Sequence, residues 1–267
     1  MYVPLVVAAI CLGTVAAAPL NQQPPILRDV GLDQKLNAQV PPDLLFHDEM
    51  GRDVRLGDYF GKRPLILALV YFKCPMLCTM VLNDLTKAMN SIKINCGEQF
   101  DILTVSFDPN ETPILAQEKK EQYIRAYRRP HAEDGWHFLT GSQASIESLT
   151  RTVGFRYAWD PKYQQYAHAS GLIILTPEGK TARYFYGIDY APSDLELSLA
   201  EAAHGKETSV ADRVLLFCFH YDPSTGRYSL MISRIIQAGG ILTVLLLGAY
   251  MFWNFRRDRK RPAVVTP

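Results

Sequence analysis

The sequence predicts an α/β sandwich in which helices flank a mixed central sheet, followed by a C-terminal transmembrane helix. Three observations lead to this prediction. The apolar run at residues 65–72 is continuous, as in a strand buried on both faces of a sheet. Strand-like and helix-like segments then alternate, and a hairpin signal at residues 169–186 adds late antiparallel strands. Residues 235–253 are almost entirely apolar, which is enough for one membrane span.

Each element of the predicted sandwich has its own local signal. Residues 44–60 resemble a short hairpin, and apolar side chains recur at helical spacing over residues 78–92. A second strand is expected at residues 100–107, and Thr112 and Pro113 are a favoured pair for beginning a second helix. The remaining elements are a strand at 136–139, a helix at 142–153, hairpin strands at 169–175 and 182–186, and a closing helix at 193–204. This order fits a thioredoxin-like fold.

Two cysteines stand between the buried strand and the first helix. Cys74 and Cys78 form a Cys-Pro-x-x-Cys motif, and residues four apart share a helix face, so their sulfurs can converge on a disulfide or a metal ion. The helix N-terminus is expected to stabilise thiolate over thiol. Thiolates suit Cu(I), zinc or iron–sulfur centres, and a lowered pKa also makes a dithiol redox-active. Spacing alone leaves these uses open, together with an inert structural role.

Composition and the terminal segments predict the cellular location of the protein. The chain of 267 residues is long enough for a sizeable core, and its net charge of +1 indicates no nucleic-acid partner. Residues 1–18 are apolar and end in small residues, which predicts a signal peptide. Basic residues follow the apolar C-terminal segment, so this end is expected to face the cytoplasm. We therefore expect a single-pass cell-membrane protein whose globular domain is extracytoplasmic, on the periplasmic side.

The expected division of the chain follows from these signals. It comprises a signal peptide at 1–18, an extended lead-in at 19–42, the folded domain at 43–205, a juxtamembrane extension at 206–233, the transmembrane helix at 234–255 and a basic cytoplasmic tail at 256–267. The extension is expected to contain a hairpin that turns at residues 222–226. Disulfides persist outside the cytoplasm, and we expect Cys74 and Cys78 to form a reversible pair.

From about residue 42 to residue 204 the chain resembles the Sco/SenC proteins, a family of exported thioredoxin-fold proteins that help to assemble the copper A centre of cytochrome c oxidase. The resemblance rests on the Cys-Pro-x-x-Cys motif, the Asp108-Pro109 and Thr112-Pro113 segment, and a histidine before the late hairpin, His168. It implies that Cys74, Cys78 and His168 bind copper, as Cu(I) or Cu(II). It also implies that the two cysteines cycle between dithiol and disulfide.

The chain departs from the family pattern beside the histidine. The family usually has aspartate immediately before it, whereas this chain has Ala167. A carboxylate there would orient the imidazole, so its absence is expected to weaken the site. The segment from Asp108 to Pro113 is also shorter than in most family members, and the predicted anchor is C-terminal rather than N-terminal.

Three functions compete for the two cysteines. The first is a copper chaperone, whose partners would be a copper donor and the copper-bearing subunit of the oxidase. The second is a thiol–disulfide oxidoreductase that reduces that subunit's cysteines and is itself served by a thiol reductant. The third is a thiol peroxidase. Peroxiredoxins usually have threonine three residues before the reactive cysteine, whereas this chain has Tyr71 three residues before Cys74, which disfavours this function. Whether the chain is an enzyme is therefore open, and His168 distinguishes the first two functions.

For the other histidines and cysteines we expect mainly structural or solvent-exposed roles. The histidines outside the motif are expected to be solvated or hydrogen-bonded residues: His47, His131, His137 and His204. Cys218 and His220 would share one face of a strand, which is compatible with an auxiliary copper site or a docking surface. A Cys218 that is buried or bridged to Cys96 is the simpler expectation.

Overall fold

The computed structural model describes residues 29–74, 77–204, 221–222, 227–228 and 230–259. The predicted signal peptide, Cys218 and His220 lie outside the described residues. The strands are β1 (Gly31–Leu32), β2 (Leu45–His47), β3 (Asp53–Arg55), β4 (Leu65–Val70), β5 (Asp101–Ser106), β6 (Trp136–Gly141), β7 (Phe155–Asp160), β8 (Gln165–His168), β9 (Gly171–Leu175), β10 (Thr181–Tyr186), β11 (Tyr221–Asp222) and β12 (Arg227–Tyr228). The helices are α1 (Leu77–Ser91), α2 (Pro113–Tyr127), α3 (Ala132–Gly135), α4 (Gln143–Val153), α5 (Pro192–Ala203) and α6 (Leu230–Arg259), with a 3₁₀ turn at Leu56–Tyr59.

A mixed sheet of seven strands forms the centre of the domain, in the order β10-β9-β4-β5-β6-β2-β3. Strands β4, β5 and β6 are parallel neighbours. Strands β9 and β2 flank them in the antiparallel direction, and β10 and β3 close the two edges. The predicted mixed α/β, thioredoxin-like architecture is therefore confirmed.

Apolar residues that the sequence patterns assigned to strands and helices are buried in the core. Every residue of β4 is buried, as its continuous apolar run indicates. In α1 the residues at helical spacing are also buried, at 2% exposure or less: Val81, Leu85 and Ala88, with Ile92 just beyond the helix. Burying each such Leu or Ile side chain contributes about 1.5–3 kcal/mol, so α1 is held against the sheet mainly by this face.

A second sheet of three strands, in the order β1-β7-β8, was not predicted. Strands β7 and β8 form an antiparallel hairpin in which Tyr157 lies opposite His168. The Asp160 carboxylate accepts hydrogen bonds from the backbone N–H groups of Lys162 and Tyr163, and these bonds stabilise its turn. This hairpin places His168 beside the end of the central sheet that carries Cys74.

The beginning of α2 differs in one detail from the prediction. Thr112 is at the N-cap and Pro113 is in the first turn, as expected, but the Thr112 side chain makes no capping hydrogen bond. Ser142 does cap α4, because its hydroxyl accepts a hydrogen bond from the backbone N–H of Ser145. Proline at the start of α2 therefore contributes through its fixed backbone angle rather than through a side-chain cap.

The C-terminal part requires one correction. Strands β11 and β12 pair in antiparallel fashion, with Tyr221 opposite Tyr228, as the predicted hairpin requires. Helix α6 covers the range predicted to span the membrane, and Gln237 and Thr243 interrupt its apolar run. Within the described ranges, no helix meets the combined length and hydropathy that a membrane crossing needs. The predicted transmembrane helix is therefore not supported.

Candidate metal centre

Three elements bring the predicted site residues together. Cys74 ends the loop after β4, Cys78 lies in the first turn of α1, and His168 is the last residue of β8. Their potential ligand atoms, two sulfurs and one ring nitrogen, all lie within 4.8 Å of one another. Both cysteines are buried, at 8% and 2% exposure, and His168 is partly buried. Residues far apart in the sequence thus form one compact group.

Backbone amides orient both sulfurs. The N–H of Cys78 points to Cys74 Sγ at 3.4 Å, and the N–H of Tyr71 points to Cys78 Sγ at 3.3 Å. The hydroxyl of Thr79 donates to the Cys74 carbonyl at 3.4 Å. No disulfide joins the cysteines in the described part of the chain. The strand-to-helix turn therefore presents two thiols to the same point.

A backbone carbonyl orients the imidazole. Nδ1 of His168 lies 2.7 Å from the carbonyl oxygen of Ala169, and Nε2 lies 3.3 Å from Cys78 Sγ. A carbonyl oxygen can only accept, so this bond places the proton on Nδ1 and leaves the Nε2 lone pair directed at the sulfurs. Metal-binding histidines are oriented in this way by carboxylates or by backbone carbonyls. The carbonyl of Ala169 thus supplies the orienting contact that a carboxylate at position 167 would otherwise provide.

Aromatic side chains enclose the His168 ring. The ring centroids of Phe107 and Tyr71 lie 5.2 Å and 5.8 Å from it, and that of Phe155 lies 6.3 Å away. Tyr71 meets it edge to face, a favourable arrangement for aromatic pairs. The sequence patterns considered above did not predict this cluster. The alternation of Phe155, Tyr157 and Trp159 before a turn is the signal that could have revealed its hairpin.

The thiol pKa at the site contradicts the expectation. Burial raises the pKa of Cys78 far above its ordinary value, and the nearby Cys74 raises it further. The hydrogen bond from the Tyr71 amide lowers it by less. The prediction of a lowered thiol pKa is therefore wrong for Cys78, because desolvation outweighs the helix N-terminus. A metal ion that binds this sulfur must displace its proton, so binding is expected to strengthen as the pH rises.

The other candidate residues lie apart from this group. His47 pairs with Asp53 at 2.7 Å, and His204 lies at the end of α5 with Nδ1 near the Ala200 carbonyl. His137 is in β6, where burial, followed by the charge of Lys120, lowers its pKa to about 4. Cys96 is a buried thiol. In the part of the chain that the structure describes, no other cluster of three such residues could hold a metal ion.

The donor set suits more than one chemistry. Two sulfurs and an imidazole form a soft to borderline set, which fits copper or zinc better than magnesium or calcium. The same two sulfurs are close enough to be considered as a dithiol–disulfide pair. The residues present therefore fit both of the chemistries that the Cys-Pro-x-x-Cys motif left open.

Comparisons with known proteins place the fold and the family. The SCO1 protein homolog of Bacillus subtilis (strain 168) is 26% identical over 173 residues, which are 63% of this chain and 84% of that protein. A crystal structure from Aquifex aeolicus VF5 matches with a TM-score of 0.57 and 23% identity, over 64% of this chain and 96% of the other. Arabidopsis thaliana ScoI with copper bound matches with a TM-score of 0.51 and 20% identity, over 62% and 99%.

The model of the SCO1/SenC family matches residues 33–203, which include the whole central sheet and all three residues of the candidate centre. This match covers well over half of the sequence, and it agrees with the fold likeness to the solved structures. The chain belongs to the SCO1/SenC family.

Proposed function

We propose that the chain is a copper chaperone that carries copper as its cargo on Cys74, Cys78 and His168 and assists assembly of the copper A centre of cytochrome c oxidase. One observation carries the proposal: the three ligand atoms lie within 4.8 Å of one another. The carbonyl of Ala169 keeps Nε2 of His168 available to join the sulfurs. Copper in the structure of Arabidopsis ScoI supports the choice of metal.

The donor set explains how such a cargo could be both held and released. Two thiolates bind Cu(I) well, and an imidazole adds a ligand that also suits Cu(II). Three protein donors leave room for a ligand from an acceptor before the first donors leave. Oxidation of Cys74 and Cys78 to a disulfide would remove both sulfur ligands, so a thiol reductant is needed to restore the site. The proposed partners are therefore a copper donor, a thiol reductant and the copper-bearing oxidase subunit.

The proposal includes attachment to the cell membrane, with the domain on the extracytoplasmic side. Its support is the sequence of α6, where large apolar side chains from Ile241 to Trp253 are more than half exposed. Arg256 and Arg257 follow them, as expected for a helix whose end meets anionic lipid headgroups. A domain held at this membrane surface would be near an oxidase embedded in the same membrane.

A thiol–disulfide oxidoreductase is the alternative that the geometry also favours. The sulfurs of Cys74 and Cys78 lie within 4.8 Å of each other, and the amide of Cys78 points to Cys74 Sγ. In that reaction the two thiols give two electrons and two protons to a disulfide of the acceptor. The Cys74–Cys78 bond forms as the acceptor's S–S bond breaks. Thiol peroxidase chemistry fits less well, because Tyr71 stands three residues before Cys74, where peroxiredoxins usually have threonine.

Replacing His168 with alanine separates the two functions. We expect Cu(I) affinity to fall by more than about 100-fold, since even partners that only orient a ligand are worth 10–100-fold. Exchange between the Cys74–Cys78 pair and a disulfide substrate should stay nearly unchanged, because it needs only the sulfurs. Competition with a chromophoric Cu(I) chelator measures the first quantity, and stopped-flow exchange with a model disulfide measures the second.

His204→Ala is the matched control, because His204 lies at the exposed end of α5 and is expected to affect neither quantity. An unaltered Cu(I) affinity in His168→Ala would overturn the chaperone proposal. Undiminished exchange would then leave the oxidoreductase as the function of the site.

A further inference from the structure

A buried carboxylate lies against the loop that leads to Cys74. Glu111, between β5 and α2, is 6% exposed. Its Oε2 accepts hydrogen bonds from the backbone N–H of Phe72 at 2.7 Å and from Ser106 Oγ at 2.6 Å. Its Oε1 accepts from the backbone N–H of Lys73 at 2.7 Å. One side chain thus connects the end of β5 with the loop that follows β4.

The loop needs these acceptors because it has left the sheet. Strand β4 ends at Val70, so the amides of Phe72 and Lys73 no longer have partners in a neighbouring strand. A buried amide without an acceptor is costly, and so is a buried carboxylate without donors. Burial raises the pKa of Glu111, and the donated hydrogen bonds oppose that shift. The carboxylate and the loop amides therefore satisfy each other.

The same loop touches both sulfurs of the candidate centre. Cys74 follows Lys73 directly, and its own N–H donates to the Tyr71 carbonyl at 3.2 Å. The N–H of Tyr71 points to Cys78 Sγ at 3.3 Å. A shift of residues 71–74 would therefore move Cys74 and also remove a hydrogen bond from Cys78. Glu111 accepts hydrogen bonds from Phe72 and Lys73, which lie in the middle of this segment.

We propose that Glu111 is a positioning residue, whose carboxylate holds residues 71–74 in the conformation that keeps Cys74 within reach of Cys78 and His168. Its hydrogen bonds go to Phe72, Lys73 and Ser106 rather than to the ligand atoms, so it acts through the loop. The inference rests on the proposed function of the site. Local sequence patterns do not indicate this role, because the bonds to Phe72 and Lys73 join Glu111 to a distant part of the chain.

A second buried carboxylate provides a matched comparison. Asp48, in the β2–β3 turn, is 2% exposed and accepts hydrogen bonds from the backbone N–H groups of Met50 at 2.9 Å and Arg52 at 2.8 Å. It therefore resembles Glu111 in burial and in accepting two backbone N–H bonds, and it additionally pairs with the Arg52 guanidinium at 2.6 Å. It serves a turn at the edge strands of the sheet, away from the loop that carries Cys74.

The test compares Glu111→Gln with Asp48→Asn in the purified full-length chain. Glutamine keeps the shape of glutamate, but its amide NH₂ must face a backbone N–H, so one loop bond is lost. We expect Cu(I) affinity to fall by at least about tenfold in Glu111→Gln, as for other partners that orient a ligand. The midpoint potential of the Cys74–Cys78 pair should also shift. Asp48→Asn should lower Tm while leaving affinity and potential unchanged.

Ser106→Ala and Glu111→Asp refine the comparison. Ser106→Ala removes one donor and leaves both loop amides bonded, so its effect on Cu(I) affinity should be smaller than that of Glu111→Gln. Glu111→Asp keeps the charge and both acceptor oxygens, so it should recover part of the lost affinity. Unchanged affinity and potential in Glu111→Gln, or equal losses in Asp48→Asn, would overturn the positioning role.

Hydrogen exchange on the unaltered full-length chain tests the role without a substitution, and so remains decisive if Glu111→Gln does not fold. The amides of Phe72 and Lys73 should be strongly protected although they lie in a loop. Exchange at the rate of exposed amides would contradict the proposal. If the unaltered chain binds no Cu(I), the proposed function fails, whereas exchange protection and the midpoint potential still decide the role of Glu111.

Discussion

Replacing Cys78 with serine is expected to abolish both tight copper binding and the reversible disulfide. Serine is close to cysteine in size, so the buried position in α1 is filled, but its hydroxyl is a poor ligand for a soft ion such as Cu(I). We expect Cu(I) affinity to fall by at least about 100-fold, which corresponds to roughly 3 kcal/mol of binding free energy. Chelator competition measures the affinity, and thiol counting after mild oxidation measures the loss of the Cys74–Cys78 bond.

Cys96→Ser is the control for this substitution. Cys96 is also a fully buried thiol, at 0% exposure, but it is not part of the group formed by Cys74, Cys78 and His168. Its replacement should change stability by an amount comparable to that in Cys78→Ser and should preserve copper binding. If Cys78→Ser still bound Cu(I) with the original affinity, the sulfur would not be a ligand and the proposed centre would be wrong.

Replacing Phe107 with alanine is expected to have the largest effect on stability near the site. Phe107 directly follows β5 and is 0% exposed. Its ring centroid lies 4.7 Å from that of Tyr157 and 5.2 Å from that of His168. Large-to-small changes of this kind cost about 3–5 kcal/mol of unfolding free energy. The cavity would also free the His168 ring to rotate, so we expect weaker Cu(I) binding, measured in parallel with denaturant unfolding.

Phe100→Ala separates the loss of stability from the loss of the site. Phe100 is also 0% exposed, but it directly precedes β5 and so lies at the opposite end of that strand. We expect a comparable loss of unfolding free energy with Cu(I) affinity retained under native conditions. Equal losses of affinity in Phe107→Ala and Phe100→Ala would mean that the aromatic cluster has no specific role in holding His168.

The sequence predicted the central part of the fold because its signals are local. The continuous apolar run became β4, and the residues at helical spacing after Cys78 became the buried face of α1. The position of both cysteines followed from these two elements alone. The mixed character of the sheet was also predicted, since strands that alternate with helices favour parallel pairing and the late hairpin adds antiparallel strands.

The third member of the site could not be derived in the same way. His168 is 90 positions from Cys78, and only the family resemblance indicated that it joins the cysteines. The hairpin of β7 and β8 that positions it was missed, although the aromatic alternation before Asp160 was available as a signal. Its proximity to Cys78 results from the packing of the second sheet beside the first, which local patterns do not determine.

Two properties of the site depend on the surroundings in the folded chain and were not predicted correctly from the sequence. The helix N-terminus suggested a lowered thiol pKa, whereas burial raises the pKa of Cys78. The absence of a carboxylate at Ala167 led to the expectation of a weaker site, which stays a prediction. The Ala169 carbonyl, which accepts from Nδ1 of His168, was not anticipated. In both cases the decisive term is the surroundings in the folded chain rather than the residue type.

X-ray absorption spectroscopy of the reduced full-length chain, loaded with one equivalent of Cu(I), tests the central claim most directly. The proposed centre predicts a copper shell of two sulfur donors and one imidazole nitrogen, with the imidazole signal absent in His168→Ala. A shell without two sulfurs, or an imidazole signal that persists in His168→Ala, would contradict a copper site built from Cys74, Cys78 and His168.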